Sequence, residues 1–318
     1  MADRTFASLA DGGGFFEGPR WRDGRWWVSD FYRHAVFAID PDGTTEQVMT
    51  VEAQPSGLGW MPDGSLLVVS MKDHRVLRRA PDGTVTIHAE IGEHCGGLAN
   101  DIIVAADGRA WVGNFGFDLM AGEPPRPAAL VRVDPDGTTA VAADGFAFPN
   151  GAVITPDGTM LVVGETTGGR YTAFTITAEG VLTDRRVWAT IEGVAPDGCT
   201  LDAEGHIWAA DALGSRLVRV AADRGVKVYT VGVGSAQLPR DVQIDRVSTP
   251  RSVLKDASLL VDVVVTNTGY AGRTVTIDVE DDGRIVGSEK VELPNDGSPA
   301  TARVRATASE PGPRLFKF

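Results

Sequence analysis

The chain has 318 residues, which is enough for one large all-β domain or for two domains of ordinary size. Its formal net charge of −13 argues against a nucleic-acid partner, because the phosphate backbone would be repelled. Two cysteines are too few for a disulfide framework, and no run of about 18 apolar residues predicts a membrane span. We therefore expect a cytoplasmic protein without a membrane partner.

A repeated segment runs through the amino-terminal part of the chain. In chain order its copies are FEGPRWRDGRWWVSD (16–30), SGLGWMPDGSLLVVS (56–70), NDIIVAADGRAWVGN (100–114), NGAVITPDGTMLVVG (150–164) and DGCTLDAEGHIWAAD (197–211). An opening polar residue precedes the turn glycine by eight positions in four copies and by seven in the first. Six positions after that glycine, the apolar strand is predicted to end, at Asp30, Ser70, Asn114, Gly164 or Asp211.

A third predicted strand follows in each copy, as HAVFAID, HRVLRRA, AALVRVD, YTAFTIT or SRLVRVA. Asp-Gly turns, which suit tight hairpins, close most of these strands, and a more variable fourth segment ends each copy. Such a small antiparallel sheet cannot bury both faces alone, so the copies must stack radially. The pattern predicts an all-β fold of the β-propeller type, with an irregular β-sandwich as the alternative.

In a propeller, the first strands line a central channel, so the opening residues should meet there. These residues are Glu17, Ser56, Asn100, Asn150 and Asp197. Carboxylate and amide oxygens together are typical of a hard divalent cation, whereas zinc prefers His or Cys. We predict a metal site at Glu17, Asn100, Asn150 and Asp197, with Asp101 as a further oxygen donor. Ca²⁺ is the favoured ion, and Mg²⁺, Mn²⁺ and Zn²⁺ are alternatives.

At these residues the chain resembles a known family, the senescence marker protein/regucalcin, gluconolactonase and luciferin-regenerating enzyme group. The resemblance covers roughly residues 10 to 222 and rests on EGPRW with Glu17, ND with Asn100 and Asp101, PNG with Asn150 and PDG with Asp197. It implies a six-bladed propeller with a divalent cation at the bottom of a central pocket, and hydrolysis of lactones or certain phosphoesters.

The resemblance also implies roles for individual residues. Glu17, Asn150 and Asp197 would bind the metal, and Asp197 would double as the catalytic carboxylate. Asn100 would be a further ligand or a substrate contact, and Asp101 joins it as a candidate substrate-binding residue. Several sugar-lactonase members carry an arginine two residues before the equivalent of Asn100, where this chain has Leu98. That departure favours a less polar lactone or ester.

The second part of the chain does not continue the repeat. The fifth copy ends near residue 222, and residues 223–239 form a junction in which GVKVYTVGVGS (225–235) could be the last strand of that copy. No sixth opening strand follows. Residues 240–318 alternate in the manner of a small β-sandwich and resemble the immunoglobulin-like adhesion modules of bacterial surface proteins.

A ring that lacks one blade would expose two apolar faces. We expect the carboxy-terminal module, a partner chain or closure as a five-bladed ring to cover them. The predicted function is hydrolysis of a small-molecule lactone or ester by a metal-dependent enzyme. The alternatives are a metal-stabilised binding module without catalysis and a fusion with an impaired propeller.

Overall fold

The computed structural model of the protein describes residues 8–119, 121–221, 229–232, 241–250, 258–281, 284–307 and 316–317. These residues divide into two compact units, Met1–Val233 and Gly234–Phe318. Within the described ranges, no helix is long and apolar enough to cross a membrane. The cellular location stays a prediction.

Among its described residues, the first unit has five four-stranded antiparallel sheets, and in each sheet the strands follow one another in chain order. The first sheet comprises β1 (Phe16–Arg22), β2 (Arg25–Asp30), β3 (Ala35–Ile39) and β4 (Thr45–Thr50). The second comprises β5 (Pro55–Trp60), β6 (Leu66–Ser70), β7 (Arg75–Arg79) and β8 (Val85–Glu90). A turn of 3₁₀ helix, Gly92–His94, leads to the third sheet.

The third sheet comprises β9 (Ala99–Val104), β10 (Ala110–Asn114), β11 (Ala128–Val133) and β12 (Thr139–Phe146). The fourth comprises β13 (Pro149–Ile154), β14 (Met160–Glu165), β15 (Arg170–Ile176) and β16 (Leu182–Thr190). The fifth comprises β17 (Pro196–Leu201), β18 (Ile207–Asp211), β19 (Arg216–Val220) and β20 (Tyr229–Gly232). The strand β20 lies within the segment that the sequence proposes as a closing strand, and it pairs with β19.

The sheets stack radially, as predicted. The strands β1, β5, β9, β13 and β17 are successive neighbours, so the first strand of every sheet lies innermost. Each inter-sheet core joins two adjacent sheets. For example, Trp111 and Phe146 of the third sheet pack with Leu161 and Phe174 of the fourth. Burying side chains of this size contributes about 1.5–3 kcal/mol each, so the stacking of faces supplies the stability that one isolated sheet lacks.

One predicted strand end is wrong by one residue. The second strand of the fourth sheet ends at Glu165 and not at Gly164. Its hairpin is one residue longer than those of the second, third and fifth sheets, because Thr155 N–H donates to the carbonyl of Met160, five residues on. In the second sheet the equivalent bond joins Met61 to Ser65, four residues on.

The second unit is a sandwich of two three-stranded sheets. Its strands are β21 (Asp241–Ser248), β22 (Ser258–Thr268), β23 (Thr274–Asp281), β24 (Arg284–Glu292), β25 (Ala300–Thr307) and β26 (Phe316–Lys317). One sheet has the order β21-β22-β25 and the other β24-β23-β26. Alternate residues of β22, among them Val261 and Val263, pack against Val279 of the other sheet. The period-two pattern therefore marks the face that forms the core.

Most of the predicted junction, 223–239, lies outside the described residues, apart from β20. The domain boundaries and the cover of the open propeller edge stay predictions.

Candidate active site

The five opening residues occupy the same position in the five sheets. Each is the second residue of the first strand of its sheet, and the set is Glu17, Ser56, Asn100, Asn150 and Asp197. Because the first strands are innermost, this position brings residues far apart in the sequence to the centre of the unit.

A β-bulge accompanies the opening residue in every first strand. The pairing register shifts between Glu17 and Arg20 in β1, and between Pro149 and Ala152 in β13. The same irregularity occurs in β5, β9 and β17. Bulges bend a strand and change the direction of its side chains, and they are common beside functional sites. Side chains of a regular strand alternate between its two faces, and the recurrent bulge interrupts this alternation beside each opening residue.

Four of the five opening residues line one cavity with a volume of about 1030 Å³: Glu17, Asn100, Asn150 and Asp197. The fifth, Ser56, is buried, and its hydroxyl donates to Oδ1 of Asn100 at 3.3 Å. Ser56 therefore orients Asn100. The structure brings the predicted ligands together, while their roles toward a metal or a substrate stay predictions.

Asn150 has a buried oxygen without a partner. Its Nδ2 donates to Oγ1 of Thr166 at 3.1 Å, and that hydroxyl donates to the carbonyl of Pro196 at 2.7 Å. Its Oδ1 is buried and makes no hydrogen bond with any residue that the structure describes. A buried carbonyl oxygen is seldom left unpaired in proteins, because the lost hydration costs about 1–3 kcal/mol. This oxygen has the character of a ligand atom.

Burial raises the pKa of Glu17 and of Asp197, two of the carboxylates that line the cavity. Burial, followed by the charges of Asp197 and Asp101, raises the pKa of Glu17 to about 8, against the opposing influence of Arg20. Burial and then the charge of Asp101 raise the pKa of Asp197, although a hydrogen bond from Asn150 lowers it. Desolvated acids that repel each other in this way are stabilised by a cation.

Asp101 is placed differently from Asn100. Its Oδ1 accepts a bond from Nη2 of Arg20 at 2.7 Å and one from the N–H of Ile102 at 2.8 Å. It is buried, and it does not belong to the described residues that line the cavity. Arg20 also donates to the carbonyl of Leu58 at 3.1 Å, so it connects β1 with both β5 and β9. The geometry gives Asp101 a bracing role, and its contact with a substrate stays a prediction.

A second set of polar residues supports the site, although the sequence predicts most of them only as strand ends and assigns none of them a role. The last residue of the second strand in each sheet is buried, and the set is Asp30, Ser70, Asn114, Glu165 and Asp211. Four of them accept a backbone N–H from the loop that enters the first strand of the same sheet: Gly14 to Asp30, Gly96 to Asn114, Ala147 to Glu165 and Ala195 to Asp211. These bonds position the opening residues. The polar strand ends visible in the repeat were the signal for this set.

Another acidic cluster lies outside the cavity. Asp202, Glu204 and His206 have ligand atoms close enough to share an ion. Arg219 already occupies their centre, because its guanidinium donates to Asp202 at 2.7 Å and to Glu204 at 2.9 Å. The guanidinium of Arg219 therefore already pairs with both carboxylates of the cluster.

The cavity residues fit a divalent cation better than this cluster does. Glu17 and Asp197 supply two negative charges, and Asn150 supplies a free carbonyl oxygen. A donor set made only of oxygens matches Ca²⁺, Mg²⁺ or Mn²⁺.

Known proteins share this architecture. The family model described as the SMP-30/gluconolactonase/LRE-like region matches residues 15–239. The pentonolactonase XacC of Haloferax volcanii is 30% identical over 213 residues, which cover 65% of this chain and 70% of that protein. A gluconolactonase from Xanthomonas campestris is 25% identical, with a TM-score of 0.59 over 70% of this chain and 77% of the other.

Regucalcin from Agrobacterium tumefaciens, a calcium-binding protein, has a TM-score of 0.60 at 22% identity, over 80% of this chain and 82% of the other. At that identity the likeness concerns the fold. The resemblance noted in the sequence is confirmed: the chain belongs to the SMP-30/gluconolactonase/LRE-like family.

Proposed function

We propose that the protein is a divalent-metal-dependent hydrolase of lactones or related esters. The observation that carries the proposal is Oδ1 of Asn150, which has no hydrogen-bond partner among the described residues and belongs to a side chain that lines the same cavity as Glu17 and Asp197. Similarity to a pentonolactonase and to a gluconolactonase supports the reaction class. A small neutral molecule is the proposed substrate.

Glu17, Asn150 and Asp197 would hold the cation, with Asn100 as a fourth ligand or as a substrate contact. Ca²⁺ is the favoured ion, because carboxylate and amide oxygens in an irregular arrangement suit its flexible coordination. When bound, a divalent cation supplies polarisation of the substrate carbonyl and compensation of the charge that develops on its oxygen.

Asp197 is proposed as the general base. Its carboxylate accepts a proton from a water molecule, whose oxygen forms a bond to the carbonyl carbon. The ring C–O bond then breaks, and the leaving alkoxide takes the proton from Asp197, so the product is a hydroxy acid. Direct attack by the carboxylate is the alternative route. The Nδ2 group of Asn100 can donate to the substrate, because the bond from Ser56 engages only its Oδ1.

The proposal is tested by measuring hydrolysis of a lactone panel with and without a chelator. We expect chelation, Asp197→Asn and Glu17→Gln each to lower kcat/KM at least about a hundredfold, because each removes a charge that acts in the transition state. Asp202→Asn is the matched control, since that acid lies outside the cavity, and it should retain full activity.

Unchanged rates after chelation and in Asp197→Asn would refute the proposal. If Ca²⁺ raises the melting temperature and no lactone or ester is hydrolysed, the protein is a metal-stabilised binding module instead.

A further inference from the structure

One side of the cavity is built from four phenylalanines. Phe15 precedes β1 and Phe31 follows β2, and their rings stack with centroids 5.0 Å apart and an interplanar angle of 22°. Phe115 follows β10 and Phe148 precedes β13, and their centroids are 4.3 Å apart. All four residues line the cavity. We call Phe15, Phe31, Phe115 and Phe148 the phenylalanine wall.

The wall has an apolar support behind it. Met71, Phe117 and Leu98 pack with Phe115 and Phe148, which are only 7% and 8% exposed. Phe15, by contrast, is 50% exposed. The buried pair therefore forms a rigid inner part of the wall, whereas Phe15 presents its ring at the opening.

Phe148 is held in an unfavourable backbone conformation. Its φ angle is +61°, in the left-handed region that a bulky side chain rarely adopts. A bond from the N–H of Thr166 to its carbonyl, at 3.0 Å, holds this segment. Strained residues of this kind concentrate at functional sites, where the surrounding structure maintains them. This backbone conformation places the ring of Phe148 at the cavity, although Phe148 lies only two residues before Asn150 in the sequence.

The charges of the cavity are of one sign. Among the lining residues that the structure describes, the charged ones are Glu17, Glu192, Asp197 and Asp211, and none is basic. An anionic group of a substrate would therefore find no basic side chain to pair with among these lining residues. The hydroxyl groups of a sugar ring placed against the phenylalanine wall would lose hydration without gaining partners.

We infer that the cavity accepts neutral lactones or esters that carry an apolar substituent, either an aromatic ring or an alkyl group, in preference to polyhydroxylated sugar lactones. The inference rests on the proposed hydrolase function for its reaction. The carbonyl group would lie at the acidic residues, and the substituent would contact Phe15 and Phe148 through face or edge packing.

The test compares three lactones: γ-phenyl-γ-butyrolactone and γ-butyrolactone, which differ only in the phenyl group, and glucono-δ-lactone, a polyhydroxylated lactone with a six-membered ring. We expect kcat/KM for the phenyl compound to exceed that of the other two by at least about tenfold, a ratio within reach of an apolar pocket. Phe15→Ala and Phe148→Gly should each lower kcat/KM for γ-phenyl-γ-butyrolactone about tenfold. They should lower kcat/KM for unsubstituted γ-butyrolactone no more than about threefold. Glycine at 148 accepts the positive φ, so the backbone is preserved.

Phe16→Ala is the matched control, because Phe16 adjoins Phe15 in sequence and does not line the cavity. It should retain the selectivity of the unaltered protein. A preference for glucono-δ-lactone, or an equal loss on all three lactones in Phe148→Gly, would overturn the inference while leaving the hydrolase proposal intact.

Binding of 5-phenylpyrrolidin-2-one, a lactam that resists hydrolysis, gives a readout independent of turnover. We expect calorimetry to detect this lactam and not unsubstituted pyrrolidin-2-one at the same concentration, and Phe148→Gly to weaken the binding about tenfold. If no lactone is hydrolysed but this selectivity is observed, the proposed function fails and the apolar preference of the cavity stands. Equal binding of both lactams would refute that preference.

Discussion

Two buried asparagines in the propeller unit differ in how their side chains are satisfied. Oδ1 of Asn114 accepts the N–H groups of Gly96 and Gly116, at 3.3 and 3.0 Å, and its Nδ2 donates to the carbonyl of Ala129 at 2.7 Å. Oδ1 of Asn150 is buried without a partner. The first asparagine therefore connects loops, and the second has an amide oxygen that no described residue satisfies.

We expect replacement of these asparagines by alanine to separate stability from cation binding. Asn114→Ala should lower the free energy of unfolding by about 2–3 kcal/mol, because it leaves buried backbone groups unpaired. Asn150→Ala should cost about 1 kcal/mol or less, because the unpartnered oxygen is removed together with the donor. Denaturant unfolding without divalent cations measures both values.

The cation response should show the opposite order. At about 100 times the Kd, Ca²⁺ should stabilise the unaltered protein and Asn114→Ala by about 2.7 kcal/mol. Asn150→Ala should lose most of this gain. An equal gain in both variants would exclude Asn150 as a ligand.

Arg20 has a structural role that its sequence context did not indicate. Its guanidinium pairs with Asp101, whose side chain is only 4% exposed, while Arg20 itself is 23% exposed. A buried charge without its partner is strongly destabilising, whereas an apolar pair of similar volume is often tolerated.

Arg20→Met should therefore destabilise the protein by about 3 kcal/mol. The double variant Arg20→Met with Asp101→Leu should recover at least half of that loss, since neither charge is then left buried. A double-mutant cycle by chemical denaturation checks this. Simple addition of the two single losses would contradict the bracing role.

At the scale of the strand, the site depends on close packing of β13 against β17. A Cβ atom added at Gly151 would overlap the carbonyl oxygen of Asp197 and would lie 2.8 Å from the Cα of Gly198. The glycine after Asn150 is therefore required by the neighbouring strand and not only by a local turn. Its absence of a side chain lets Asn150 and Asp197 approach one another.

We expect Gly151→Ala to separate these two strands. The overlap should cost about 1–3 kcal/mol in stability and should lower the cation affinity at least about tenfold, because the proposed ligands Asn150 and Asp197 lie on the two strands. Gly198→Ala is the matched control, since a Cβ atom there has no neighbour within 4 Å in the part of the chain that the structure describes. Isothermal titration with Ca²⁺ compares the two variants, and equal affinities would show that the strand spacing does not matter.

At the scale of the molecule, the two units have separate hydrophobic cores. Side chains of β22, β23 and β25 form the core of the sandwich, with Val261, Val263 and Val304 fully buried. The propeller cores each join two adjacent sheets, such as the second and third. A core that belongs to one unit can be altered without changing the other.

We therefore expect two transitions in differential scanning calorimetry. Ca²⁺ should raise only the melting temperature of the propeller unit. Val263→Ala should lower only the melting temperature of the sandwich unit, by roughly 10 °C, because the lost packing costs about 2 kcal/mol. A single transition that responds to both changes would contradict the predicted domain organisation.

Much of the site could be predicted because the repeat is regular. A spacing of seven or eight residues from opening residue to turn glycine predicted equivalent strand positions for Glu17, Asn100, Asn150 and Asp197, and the structure has them there. The one-residue error at Glu165 arose from a longer hairpin, which composition did not reveal. The bond from Arg20 to Asp101 spans 81 positions and has no local signal.

The sequence by itself determined the all-β class, the repeated sheets, the family and the polar residues that open each first strand. It could do so because period-two alternation and Asp-Gly turns are local properties of the chain. Only the tertiary structure decided which oxygen is left unpartnered, which acid is neutralised by an arginine and which rings form the phenylalanine wall. Those outcomes depend on distances between residues of different sheets, and the packing of one sheet on the next sets such distances.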